Sequence, residues 1–471
     1  MKHSPPRVRT SLSRRRILGM MGATSLLPAT GWAGITQDYT ASRRRVIVIG
    51  AGVAGLSAAK ALTNLGLEVI VLEGQNRLGG RVLTKNLGGV PMDLGATWVT
   101  GTSLQNPVSQ YLNWIGVPLV DDNFKANMFE EGTGYLTNSQ TSKYLGRFNQ
   151  FTSALPGLRN TLGPGASLDQ GIELFLNLKN YTGVGRARTR YVLKGEAETY
   201  YAGSVYDQSL DWFWEDSGFG GGDAFPQGGC GQLVQSLGAG LDVRLNTPVV
   251  SVDHTHHGAV VHTATESFRA SHVLVTASLG VLKSGAIQFN PQLPPGKLGA
   301  ISRLGMGALE KVTLTFNNKF WSKVDDLYFK ATIDGEFPYI KDMTTYAGTP
   351  SIVAYAGGDF ANQMQGTPPA ASVTRILDIL GMLTGSTPPA PVDTHVTNWR
   401  GDPAFGGAYS FWSVGSSPND NLALGAPAGR IHFAGEATHM SRYGTMQGAM
   451  LSGLREAGRI LGKSVNVADL I

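Results

Sequence analysis

Gly50-Ala51-Gly52-Val53-Ala54-Gly55 has the glycine spacing that lets a main chain wrap a phosphate. It stands directly after Val46-Ile47-Val48-Ile49, an apolar β-branched run that suits a buried parallel strand. Gly50 permits the tight turn, Gly52 lets backbone approach a pyrophosphate, and Gly55 lets helix and strand pack closely. The stretch up to Leu65 predicts a helix, with Gly66 suited to its C-terminal cap. Its N-terminus, where Ala54 lies, offers free N–H groups and a positive dipole end to an anion. Glu68–Leu72 predicts a second strand, and Glu73 at its end can accept hydrogen bonds from ribose hydroxyls. Strand, glycine turn, helix, strand and acid in that order specify a Rossmann-like dinucleotide site, not an isolated glycine turn.

Motifs further along the chain narrow the choice of dinucleotide. Arg77-Leu78-Gly79-Gly80-Arg81 and Asp93-Leu94-Gly95-Ala96-Thr97-Trp98 come first. Beyond them stand Gln227-Gly228-Gly229, Thr247-Pro248-Val249-Val250-Ser251-Val252 and Met306-Gly307-Ala308-Leu309-Glu310-Lys311-Val312. Near the end are Trp399-Arg400-Gly401-Asp402-Pro403, Gly407-Ala408-Tyr409-Ser410, Phe433-Ala434-Gly435-Glu436-Ala437-Thr438-His439 and Tyr443-Gly444-Thr445-Met446-Gln447-Gly448-Ala449. Together these resemble the flavin amine oxidase family, which binds FAD. Only residues from about 103 to 225 and from about 322 to 395 lack a sharp match.

The resemblance implies roles. Gly80 and Arg81 would lie beside the pyrophosphate, and Thr97-Trp98 would pass the flavin. The Val249 backbone would meet adenine, while Gly435 and Glu436 would reach the ribityl chain. Residues 445–461 read as a helix dense in small residues, with Thr445 and Met446 at its start. Its positive N-terminus would face the flavin pyrimidine edge, with the Met446 N–H as donor. Lys311 lies in a run, 311–316, that alternates as a strand does. An edge lysine in solvent is the bland alternative; the resemblance implies a buried lysine holding a water at flavin N5, pushed toward neutrality by desolvation. Tyr409 and Trp399 would sit at the flavin face.

The implied reaction is amine oxidation. The amine α-carbon gives a hydride to flavin N5, the imine hydrolyses to an aldehyde, and dioxygen takes the electrons as hydrogen peroxide. Thr445 stands where monoamine oxidases carry tyrosine, and threonine there is like the polyamine and spermine oxidases. Thr100 departs from those enzymes, which typically have histidine. Ala408 stands where mitochondrial monoamine oxidases attach flavin through cysteine, so FAD is expected to be non-covalent. Thr97-Trp98 replaces the arginine with which amino acid oxidases hold a carboxylate. A polyamine is the favoured substrate. A monoamine or alkaloid amine, and an exported flavoprotein without amine chemistry, remain open. Glu196, Glu198, Asp207, Asp211, Glu215 and Asp216 are available to hold distal charges.

Two features point away from other chemistries. Asp253-His254-Thr255-His256-His257-Gly258 sits between strand-like runs and reads as a polar hairpin turn, so no metal is expected. The single cysteine, Cys230, excludes an intrachain disulfide and a multi-thiolate site and reads as a small packing residue.

The elements that must carry these residues are spread along 471 residues, long enough for more than one core. The fold class is α/β: a Rossmann-like FAD-binding domain of the GR2 type, with an α+β substrate domain inserted discontinuously. Residues 41–100, 226–295 and 396–471 are assigned to the first, and 101–225 with 296–395 to the second. Tyr200, Tyr201, Tyr206, Trp212 and Trp214 supply the second with aromatics. Residues 1–33 differ in kind. Ser13-Arg14-Arg15-Arg16 precedes a short apolar run and small residues ending at Ala33, which resembles a twin-arginine export signal, with 34–45 as linker. The expected partners are therefore the twin-arginine machinery, a small amine and dioxygen, and the expected location is periplasmic or secreted in a bacterium. The apolar run is too short to span a bilayer. Residues 1–33 hold six Lys and Arg and no acid; removing them from the net +5 leaves 33 basic against 34 acidic residues. The basic pI belongs to the signal, and the case for nucleic acid goes with it.

Overall fold

Five short strands form a wholly parallel sheet in the order Asp242–Arg244, Glu68–Leu72, Arg45–Ile49, His272–Val275, Ile431–Phe433. The computed structural model describes residues 45–471, so the segment expected to be an export signal, and all but the end of the expected linker, lie outside the described residues. Val46, Ile47 and Val48 have no exposed surface. A strand covered on both faces needs no polar alternation, which is why its sequence is continuously apolar.

One face carries helix Val53–Asn64, and helix Met446–Leu461 packs directly on it. The approach is close enough that a Cβ at Gly453 would stand 2.2 Å from the Ala54 carbonyl oxygen. The small residues of the terminal helix are there to permit that contact.

A second, seven-stranded sheet runs Asp393–Val396, Leu309–Thr315, Ser351–Gly357, Tyr339–Asp342, Asp326–Lys330, Ala126–Glu130, Gly134–Tyr135. Its pairs are antiparallel except the parallel match of Asp326–Lys330 with Ala126–Glu130. Leu309–Thr315 is an interior strand, two residues longer at its start than the alternation at 311–316 indicates. Lys311 is thus not on an edge. Helices Asn138–Leu162, Leu168–Leu178 and Gly183–Tyr201 fill the segment whose residues read only as helix-compatible stretches. The first two start on capping boxes, Thr137 with Gln140 and Ser167 with Gln170.

The parallel sheet draws its strands from 41–100, 226–295 and 396–471; the mixed sheet draws on the intervening segments to within one residue. Residues 42–471 cluster as one compact unit. The histidine-rich segment joins antiparallel strands Val249–His254 and Ala259–Thr263 as a hairpin turn. Among the described residues no helix is long and apolar enough to cross a membrane.

Candidate active site

The glycine turn closes on itself as its spacing requires. Gly50 has φ +104°, and a Cβ at Gly55 would stand 2.0 Å from the Gly50 carbonyl oxygen. Only glycine fits either position. A Cβ at Gly52 would find nothing nearer than 4.0 Å, so its main chain faces open space beside the helix N-terminus. The Glu73 carboxylate closes the loop, accepting the Ala51 N–H at 2.7 Å and the Gln75 N–H at 2.8 Å.

That open space is one end of an elongated cavity of about 810 Å³. Gly50, Gly52, Ala54, Glu73, Gly80, Arg81, Thr97, Trp98 and Val249 line it, as do Gly435, Glu436, Thr445, Met446, Lys311, Trp399 and Tyr409. Of the residues assigned from sequence to the cofactor and the reaction, Gly55 alone does not; its part is the close packing behind the turn. Two helix N-termini, at Val53 and Met446, meet the cavity. Glycine main chain and positive helix ends where a diphosphate would lie fit a dinucleotide such as FAD.

Several side chains are more committed than their expected roles suggest. Glu436 accepts from Arg81 Nη1 at 2.7 Å and Ser410 N at 3.3 Å on one oxygen. The other oxygen accepts from Ser410 Oγ at 2.6 Å and Gly444 N at 2.7 Å. Both oxygens are filled, so Glu436 ties together the loops that carry Arg81, Ser410 and Gly444. The Thr445 hydroxyl caps the terminal helix, accepting from Gly448 N at 3.0 Å and donating to Arg442 O at 2.7 Å. Its one proton is therefore already committed to the main chain.

Tyr409 donates to the main-chain oxygens of Thr199 and Tyr200 at 3.0 and 3.1 Å, and burial pushes its phenol up. Trp399 donates to Leu94 O at 3.2 Å and packs edge-on to Phe405. The polar groups of both side chains are thus taken by main-chain oxygens, and both residues line the cavity. Thr100, the departure from histidine, accepts Gln447 Nε2 at 2.6 Å.

Lys311 is 4% exposed, and its ammonium donates to Asp93 O at 3.1 Å, Gly95 O at 2.6 Å and the Thr97 hydroxyl. Three acceptors use three protons, so a water would have to replace one of them. Burial pulls the lysine down to about 8, with Asp93 and Cys230 opposing. Cys230 is itself buried, and its N–H donates to the Asp93 carboxylate.

Beyond Lys311 the cavity is lined by rings and carboxylates. Tyr328, Tyr339, Tyr355 and Trp98 form a continuous series with centroids 5.5–5.6 Å apart. Glu196, Asp216, Asp223 and Asp122 stand among them. Asp122 pairs with Lys341 at 2.8 Å and accepts Trp98 Nε1 at 2.8 Å. Glu196, Asp216 and Asp223 have no ion-pair partner among the described residues. Burial pushes all three carboxyls up, against hydrogen bonds from Tyr328 to Glu196, from Tyr201 to Asp216 and from Gly101 to Asp223.

Sequence reading found some of these and not others. Of its six candidate acids, only Glu196 and Asp216 reach the cavity. Glu198 is buried against Lys194, Glu215 pairs with Arg159, and Asp211 accepts Gly165 N. Of its five aromatics only Tyr200 and Tyr201 line the wall. Asp122, Asp223, Tyr328, Tyr339 and Tyr355 were missed. They lie on short strands or beside them, where alternation is the only signal, and Ser351–Gly357 is buried at every position and shows none.

Comparison with known proteins agrees with this geometry. A family profile described as flavin containing amine oxidoreductase matches residues 53–461. Lysine-specific histone demethylase 1 homolog 2 of Oryza sativa subsp. japonica is 35% identical over 93% of this chain, which spans 59% of that relative's length. Polyamine oxidase 4 of the same plant is 29% identical, with 89% of each chain covered. A putrescine oxidase double mutant, from a redesign of cofactor binding, superposes with TM-score 0.75 at 21% identity, covering 89% of this chain and 99% of the other. That likeness shows the amine oxidase fold. With a matching profile over most of its length, its cavity built for FAD, the chain belongs to the flavin containing amine oxidoreductase family.

Proposed function

We propose that the protein is an FAD-dependent oxidase of amines that carry more than one positive charge, a polyamine being the favoured substrate. The observation that carries this is charge. Glu196, Asp216 and Asp223 face the cavity without a cation, while among its described lining residues only Lys311 and Arg81 are cationic, and Arg81 is taken by Glu436. Glu196 and Asp216 are half-buried, and an unpaired carboxylate so placed is costly until a ligand cation neutralises it; Asp223 is exposed at the rim and adds charge without that cost.

When bound, without a covalent link, FAD supplies a two-electron acceptor for the hydride of the amine α-carbon, reoxidised by dioxygen with release of hydrogen peroxide. The protein's part is to bind, orient and dry the substrate. Tyr409 and Trp399, their polar groups bonded to main-chain oxygens, line the cavity as the aromatic pair that steers an amine nitrogen. The ring series excludes water from the reacting carbon, which favours the neutral amine there. The carboxylates beyond hold the distal ammonium groups. Lys311 holds a proton at Nζ beside the Thr97 hydroxyl. No strong base is required, and the imine released hydrolyses in water to an aldehyde.

A second reading, oxidation of an aromatic or alkaloid monoamine, is supported by the ring series of Tyr328, Tyr339, Tyr355 and Trp98. Amine-dependent peroxide production with spermidine and with an aromatic monoamine separates the two. On the first reading spermidine should be used better, and Glu196→Gln should raise KM for it about ten-fold with little change for a monoamine. A preference for the monoamine, unaltered by Glu196→Gln, would favour the second. We also propose export by the twin-arginine route to the periplasm, supported by Ser13-Arg14-Arg15-Arg16 and the small residues before Ala33. Replacing Arg14 and Arg15 together by lysine should retain the activity in the cytoplasmic fraction; unaltered export would refute that route.

A further inference from the structure

Asp93 does not line the cavity, yet its segment supplies every acceptor of the Lys311 ammonium: its own carbonyl, that of Gly95, and the Thr97 hydroxyl. Its carboxylate lies behind that segment, accepting Cys230 N at 3.1 and 3.0 Å and the Thr84 hydroxyl, which in turn accepts Gly231 N at 2.8 Å. A Cβ at Gly229 would stand 3.0 Å from Asp93 Oδ1, so the loop Gly228–Gly229 is shaped to admit it. Four separate chain segments, around residues 84, 93, 230 and 311, converge to hold one charge beside another.

The groups around the Lys311 ammonium are few. From the loop come Asp93 and Thr97, from the start of helix Gly231–Gly238 comes Cys230, and from the neighbouring strand comes the Tyr355 ring, 5.4 Å from Nζ. The adjacent Glu310 is occupied by Thr397, Trp399 N and Arg400 N. His395, opposite Thr313, lies further along the strand with Lys85 and Asp393 beside it. Burial is the largest influence on both groups, pulling Lys311 down and pushing the Asp93 carboxyl up; Asp93 is the one carboxylate that acts against it on Lys311, and the lysine charge with the hydrogen bonds from Thr84 and Cys230 acts against it on Asp93.

We propose that Asp93 is a positioning residue for Lys311: its buried carboxylate keeps the lysine able to hold its third proton, and its main chain aims the ammonium at Thr97. Without that charge the lysine would lose its third proton at a lower pH, and once it had, two N–H donors would serve three acceptors and one would be released. This rests on FAD filling the cavity but not on any choice of amine.

The test uses holoenzyme grown with lysine carrying 13C at Cε and contains no substrate, so a failure of amine oxidation leaves it readable. The resonance absent in Lys311→Met is that of Lys311, and it is followed from about pH 6 to 11, across the range in which lysines titrate. In the wild type its midpoint is expected near 8. In Asp93→Asn, which keeps the shape and an acceptor for Cys230 N–H, the midpoint is expected to fall by about one unit. In Asp93→Glu, which restores the charge, it should return toward the wild-type value. An unmoved midpoint in a folded, FAD-loaded Asp93→Asn would overturn the proposal. Should that variant not fold, wild-type protein labelled at aspartate Cγ gives a second reading, with Asp93 identified through Asp93→Glu. The Asp93 resonance must step at the Lys311 midpoint, and a flat resonance across that range would equally overturn it.

Discussion

Lys311 shows how much a single side chain contributes and what its burial costs. Its unfolded value is 10.5 and its folded value about 8, so unfolding takes up a proton between those limits. Stability therefore rises with pH across that window, and below pH 8 the buried charge costs on the order of 3 kcal/mol. Denaturant unfolding of wild type and Lys311→Met at a series of pH values should show their difference shrinking from pH 8 to 10.5. Parallel curves would mean that Lys311 titrates normally. The same variant should keep FAD and slow flavin reduction by an amine by about 10²-fold or more, measured by rapid mixing. The identity of this lysine was legible from its motif, but its surroundings were not. Asp93, Gly95 and Thr97 lie more than 200 residues away in sequence, and no local pattern announces that they meet it.

At the scale of elements, helix Gly183–Tyr201 has two jobs that can be tested apart. One face puts Tyr191, Glu196, Thr199 and Tyr200 on the cavity wall. The other buries Lys194 and Glu198, 2% and 1% exposed, as an ion pair of 2.8 Å. Glu198 also accepts Val205 N at 3.1 Å, fixing the chain reversal after Ala202, which has φ +60°. Lys194→Met strands the carboxylate and should cost roughly 3–5 kcal/mol in denaturant unfolding, whereas Lys194→Met with Glu198→Leu should recover most of it. A negligible loss in the single variant would show that the pair does not hold the helix. The glycine turn and the two helices flanking it were readable because each position has a steric reason, as at Gly50 and Gly55. This helix was not, since its buried residues include Thr189, Lys194 and Glu198, which periodicity counts as polar surface.

At the scale of the whole molecule, the five-stranded and seven-stranded sheets share one cavity. Motifs scattered over the chain implied an interleaved dinucleotide domain, and all five parallel strands fall in those segments. The mixed sheet was not visible, because its strands pair across long separations, such as Asp326–Lys330 with Ala126–Glu130. A ligand touching both sheets should stabilise them together. At 100-fold excess over its Kd, FAD should add about 2.7 kcal/mol to a single unfolding transition. Two transitions, with only one responding to FAD, would show that the sheets unfold independently.

The central claim, that this cavity brings an amine against FAD, is tested most directly by anaerobic mixing of the FAD-loaded protein with a panel of amines. Spermidine and an aromatic monoamine belong in that panel. Loss of the oxidised flavin absorbance is predicted with an amine, faster for spermidine, with its return when dioxygen is admitted. An oxidised flavin spectrum that persists with every amine would contradict the claim.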